Sequence, residues 1–108
     1  MNIWRPYTQM LNAPSALKVL KAEGSYLHLD NGQKILDGIS SWWVITHGHC
    51  HPQIAEAIAK QAEKLDQVVF ANFTHDVAEE LVSALAQFLP TSLNRMFFSD
   101  NGSTSVEV

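Results

Sequence analysis

The stretch at residues 37–52, DGISSWWVITHGHCHP, constrains this chain more than any other. Two adjacent tryptophans, Trp42 and Trp43, follow two serines and precede a turn rich in glycine and histidine. A buried indole needs a partner for its N–H, so a Trp-Trp pair is demanding to place. In an extended segment, neighbouring side chains point to opposite faces. One ring is therefore expected to enter a core while the other faces a cleft or a partner surface. The residues ahead of the stretch read as strand and hairpin that deliver it. Those behind it read as helices and a phosphate-type turn that close over it.

The delivering segment begins with an irregular arm, residues 1–14, which carries Trp4, Pro6, Tyr7 and Pro14 without helical or strand period. Residues 18–22 and 25–29 are strand-like. Asn31-Gly32 predicts a type I′ hairpin because both residues tolerate positive φ, with residues 33–36 as the return strand. From Pro52 the period becomes helical. Ile54, Ile58, Ala62 and Leu65 form a stripe, Glu56 and Lys60 pair four apart, and Pro52 suits the first helical position. Residues 67–73 read as extended. A second helix is expected from Thr74 as N-cap, with Asp76, Glu79 and Glu80 near its positive end. Its stripe is Val77, Leu81, Val82, Leu85 and Phe88, and it stops at Pro90.

Residues 95–98 read as a short buried strand, Asp100-Asn101-Gly102 as a tight turn, and Ser103 onward as the start of a helix. Strand, turn and helix make the opening half of a βαβ unit. A helix of so few residues is not stable alone, so the chain is expected to be the N-terminal piece of something longer.

Composition narrows the function classes. With 46% apolar and 17% charged residues, the chain reads as ordered and globular, and its 108 residues as enough to bury roughly two thirds of the unfolded surface. A net charge of −4 with scattered lysines and arginines argues against nucleic acid as a partner. The single cysteine, Cys50, forbids an internal disulfide, suits a reducing cytoplasm, and reads as a small buried apolar residue. No signal segment or membrane-spanning run stands in the sequence, so neither export nor a membrane partner is expected.

Three constellations can carry chemistry. Residues 99–104, SDNGST, run from strand through a glycine turn into a hydroxyl-rich helix start. That is either an anion site, with Gly102 letting backbone approach a phosphate, or an ordinary N-cap turn. The Gly-Lys-Ser/Thr of a nucleotide-triphosphate loop is missing. His47, His49 and His51 would share one face of an extended segment and form a zinc site, or else they are turn histidines that cap and hydrogen-bond. Tyr7 and Trp42 are flat amphipathic rings able to line a substrate slot.

WRPYTQM at residues 4–10, DGISSWW at 37–43, HGHCHP at 47–52 and SDNGSTSVEV at 99–108 occur in order over essentially the whole chain. In this arrangement the chain resembles the class III aminotransferases, and the Trp-x-Pro-Tyr-Thr arm and Ser-Ser-Trp-Trp pair are particular to their biotin-pathway branch. The resemblance implies an α/β protein, the N-terminal portion of a fold-type-I enzyme dependent on pyridoxal 5'-phosphate. Residues 1–38 would be the arm and hairpin segment, and residues 39–108 the start of the cofactor-binding large domain.

The resemblance further implies S-adenosylmethionine as amino donor, 8-amino-7-oxononanoate as acceptor, a homodimer and a cytoplasmic setting. Gly102 and Ser103 would contact the cofactor phosphate, Trp42 would line the acceptor pocket, and Tyr7 would stack on the donor's adenine. No catalytic residue and no metal ligand is implied within this chain. Lys18, Lys21, Lys34, Lys60 and Lys64 match no Schiff-base position, so the chain alone is not expected to transaminate. Ser105 stands where alanine is expected, and Asn72 where glycine is usual. A class III enzyme with an ornithine- or aminobutyrate-like donor, or a small zinc module on the three histidines, are the alternatives.

Overall fold

The computed structural model describes residues 3–108, arranged as two compact units, Met1–Lys64 and Leu65–Val108. The first two positions of the arm lie outside the described residues.

The first unit is built on a three-stranded antiparallel sheet in the order β1 (Val19–Glu23), β2 (Tyr26–Leu29), β3 (Lys34–Leu36). The β1–β2 register pairs Ala22 with Leu27 and Glu23 with Tyr26, and an irregularity between Val19 and Lys21 bends the edge. Asp30, Asn31 and Gly32 close the β2–β3 hairpin, but not as type I′. Only Gly32 takes positive φ, at 84°. Asn31 instead uses its side-chain oxygen to accept the Gln33 N–H at 3.0 Å, while Leu29 and Gly32 pair at 3.2 Å. A three-residue loop with a left-handed glycine matches the strand twist as well as a two-residue turn does.

After β3 the chain makes one turn of helix, α1 (Ser40–Trp43), of the uncommon hand. Ser40, Ser41, Trp42 and Trp43 have φ of 50°, 47°, 68° and 66°. The i→i−4 bonds Trp43 N–H to Ile39 O (2.9 Å) and Val44 N–H to Ser40 O close it. The expectation of an extended Trp-Trp with one buried ring is therefore overturned. Both indoles are exposed, and a left-handed coil, not a pleat, separates them. Each such residue costs about 1–2 kcal/mol in an L-amino-acid chain, so the turn needs outside support.

Helix α2 (Pro52–Lys64) follows with Ile54, Ile58 and Ala62 of the expected stripe, Leu65 falling just past its end, and a Glu56–Lys60 pair at 2.6 Å. In the second unit, α3 (Asp76–Ala86) begins one residue later than expected. His75, not Thr74, is the N-cap, accepting the Ala78 N–H at 3.3 Å on Nδ1, while Thr74 donates to Glu79 at 2.9 Å. Residues 95–98, expected as a buried strand, pair with no strand among the described residues. Phe97 and Phe98 are exposed, because a lone extended segment has no neighbour to complete its ladder. The chain ends in α4 (Gly102–Glu107).

Little is enclosed. Among the described residues only Leu29 and Ala78 are buried, and Cys50, expected inside, is exposed. The accessible surface of 9815 Å² compares with about 6,000 Å² for a self-contained globular protein of 12.0 kDa. The expected two-thirds burial is not reached. Among the described residues no helix is long and apolar enough to cross a membrane.

Candidate functional site

Asp37 is the centre of the first unit. Its N–H bonds Ser25 O at 2.9 Å, which ties it to the hairpin. Its Oδ2 accepts the Ser41 hydroxyl at 2.7 Å and His49 Nε2–H at 2.8 Å. Both members of the ion pair are nearly enclosed, with 6% of the Asp37 and 11% of the His49 side chain exposed. The Ser41 hydroxyl, then the Ser41 backbone N–H and the His49 ring, hold the Asp37 carboxyl down at about 2 from its ordinary 3.8. His49 is fixed in turn by paired backbone bonds with Gly24, at 2.7 and 3.2 Å. Gly48 makes that approach possible. Its φ is 85°, and a Cβ there would sit 3.2 Å from the Gly24 backbone.

The left-handed turn presents two rings. Trp42 and Trp43 meet edge to face, 6.5 Å apart at 81°. The other side of Trp42 meets Tyr7 at 5.7 Å and 31°, so the arm lies against the turn. Arg5 donates to Pro14 O at 2.8 Å and pins the arm into a loop. Tyr7 is itself left-handed, at φ 50°, and 93% exposed. Tyr7 and Trp42 thus come together from 35 positions apart as a tilted aromatic pair, both rings exposed.

Gly102 and Ser103 lie in the second unit, at the first two positions of α4. Asn101 caps the helix in a reciprocal box: its Oδ1 accepts the Thr104 N–H at 3.0 Å, and its own N–H reaches Thr104 Oγ1 at 3.3 Å. The N–H groups of Gly102 and Ser103 precede any intrahelical acceptor, and a Cβ at Gly102 would meet nothing within 4 Å. The Asp100 carboxylate accepts from Thr104 Oγ1 and Asn101 Nδ2, each at 2.9 Å, and hydrogen bonding, that of Thr104 foremost, lowers its pKa. Ser105 bonds Asn101 O at 3.0 Å and also pairs with the Ser99 hydroxyl, contacts an alanine cannot make. Asn72 has φ 71°, which explains both the glycine usual there and the asparagine found.

The histidines do not converge. Gly48 and Cys50 bend the segment at φ 85° and 55°, His47 pairs with Thr46 at 2.8 Å and His49 with Asp37. Among the described residues no three His, Cys, Asp or Glu side chains gather for a metal. A cavity of about 600 Å³ in the second unit is lined by Phe70, Phe73, Val82, Met96 and Phe98 and holds none of the expected site residues. Thr74, Glu79 and Ser83 also line it, so its walls are mostly but not wholly apolar. The sequence reading missed Asp37, Ser41 and His49 as a unit. Asp37 and Ser41 four apart were a legible cap-like signal, but nothing in the sequence links either to His49.

The pattern that defines the aminotransferase class-III family matches residues 8–108, and the chain belongs to that family. Two of the relatives carry one name. The chain is 51% identical over 107 residues to the adenosylmethionine-8-amino-7-oxononanoate aminotransferase of Synechococcus elongatus, and 41% to that of Buchnera aphidicola. Each comparison covers 99% of this chain and 25% of the relative, so the chain spans about a quarter of their length. The crystal structure of the enzyme of the same name from Methanocaldococcus jannaschii superposes with a TM-score of 0.89 at 34% identity, over 98% of this chain and 25% of that one. A PLP-bound amine transaminase from an uncultivated Pseudomonas species gives 0.80 at 27% identity, over 99% of this chain and 25% of that one. The fold-type expected from the sequence, the opening portion of a PLP-dependent aminotransferase, is borne out.

Proposed function

We propose that this chain forms the N-terminal quarter of a pyridoxal-phosphate aminotransferase of biotin synthesis, which passes the amino group of S-adenosylmethionine to 8-amino-7-oxononanoate to give 7,8-diaminononanoate. The observation that carries the reading is the aromatic pair of Tyr7 and Trp42, built from the two segments particular to this branch. The shared name of the relatives in Synechococcus and Buchnera supports it.

Within this reading, residues 1–38 form the arm and hairpin, and residues 39–108 open the cofactor-binding domain. Gly102 and Ser103 hold the cofactor phosphate. Two free N–H groups, a hydroxyl and open space at a helix start suit a phosphate, so the donor set fits the group. Pyridoxal phosphate, when bound, supplies the electron sink for moving an amino group. Trp42 orients the ketone acceptor and keeps water from its side of the slot, and Tyr7 stacks on the donor's adenine. The Schiff-base lysine belongs to the remainder of the enzyme, which works as a cytoplasmic homodimer.

The test compares amino donors on the full-length protein. Turnover of 8-amino-7-oxononanoate with S-adenosylmethionine, and not with ornithine or 4-aminobutyrate, is the expected result. No turnover with S-adenosylmethionine overturns the assignment in favour of another class III donor.

A further inference from the structure

The rings of Tyr7 and Trp42 stand on a backbone that L-residues avoid, and the side chain that bonds the turn, Asp37, is itself nearly enclosed. We propose that Asp37 is a positioning residue of the substrate site: clamped by His49, its carboxylate fixes the left-handed turn and thereby the place of the Trp42 ring. The proposal rests on the reading of Trp42 as a substrate wall.

Two donors converge on one oxygen of this carboxylate: the Ser41 hydroxyl and His49 Nε2–H. Ser41 immediately precedes Trp42 and is itself left-handed, at φ 47° and ψ 52°. An aspartate capping an ordinary helix would stabilise backbone that forms readily anyway. Here it holds Ser41, one of four successive residues in the disfavoured hand. The carboxylate is not free to follow the turn, because His49 holds the same oxygen and is itself bonded on both sides to Gly24. A continuous series of contacts therefore runs from the hairpin through Gly24, His49, Asp37 and Ser41 to Trp42. Ring position is set by the fold, not by substrate.

Asp37→Asn tests this in the full-length holoenzyme. The amide keeps the volume and one acceptor oxygen, but it carries no charge to strengthen the bonds from Ser41 and His49, and its other position donates where the carboxylate accepted. The protein is labelled with fluorotryptophan, and the Trp42 fluorine resonance is assigned by its loss in Trp42→Phe. In Asp37→Asn the Trp42 resonance is expected to shift or split. KM for 8-amino-7-oxononanoate should rise roughly tenfold or more, with cofactor absorbance unchanged. Ser41→Ala, which removes one donor and leaves the ion pair, should move both readouts less and in the same direction, and it decides the matter if Asp37→Asn does not fold. A Trp42 resonance unmoved in the folded variants overturns the proposal even if activity falls. If the resonance moves but Trp42→Ala itself leaves KM unchanged, the clamp stands and the substrate-wall reading fails.

Discussion

Asp37 shows how much a single side chain can organise. It joins the hairpin through its backbone, the tryptophan turn through Ser41 and the glycine-histidine turn through His49. Its carboxyl is held at about 2 against an ordinary 3.8, so its contribution to stability is present above about pH 4 and is lost as pH falls toward 2. The stability gap between wild type and Asp37→Asn should therefore narrow across that window, read by denaturant titration at successive pH values. A gap that stays constant would place the stabilisation in groups other than this carboxylate. Asp37 and Ser41 were visible in the sequence as neighbours four apart. That they share one oxygen with His49 was not visible, since a contact across 12 residues of irregular chain leaves no periodic trace.

At the scale of elements, the helices follow local rules and the turns follow tertiary ones. Helix α2 begins at its proline and carries Ile54, Ile58 and Ala62 where the 3.6 period places them. The start of α3 shifts from Thr74 to His75 because the His75 ring, stacked on Phe70 at 5.4 Å, presents Nδ1 to the Ala78 N–H. That ring contact, with a residue five positions earlier, accompanies the choice of His75 over the better intrinsic capping of threonine. His75→Ala should cost about 1 kcal/mol of unfolding free energy through the lost cap, measured in urea, and His75→Asn should recover most of it. No recovery with asparagine would assign the loss to the Phe70 stack instead. The left-handed α1 is the opposite case, since no propensity in Ser-Ser-Trp-Trp announces it. Helix propensities describe the right-handed coil, and the contacts that accompany the other hand here, from Asp37 and the Tyr7 ring, come from outside the turn.

For the molecule as a whole, the decisive quantity is what stays uncovered. Leu81 and Leu85 on α3, Ile54 and Ile58 on α2, and both aromatic residues at 97–98 are exposed, although their spacing marks them as core-forming. Burial of that kind supplies most of the driving force for folding, and helices of this length are marginal without it. The 108-residue chain made alone should bind a hydrophobic dye, unfold without a sharp calorimetric transition and show no transaminase activity. The full-length protein should show none of these deficits. A cooperative transition in the isolated chain would mean that its two units sustain themselves.

The class III membership, the hairpin, α2, α3 and the capped start of α4 were determined by the sequence alone. The membership rests on motifs in order along the chain, and each element on residues within a few positions of one another: a turn glycine, a proline at a helix start, a 3.6-residue stripe, an asparagine before a glycine. The tertiary structure alone decided the hand of the tryptophan turn, the meeting of Tyr7 with Trp42, and the sharing of Asp37 between Ser41 and His49. These are contacts between distant segments. Their energy offsets a locally unfavourable backbone, and a sum of local preferences cannot contain it.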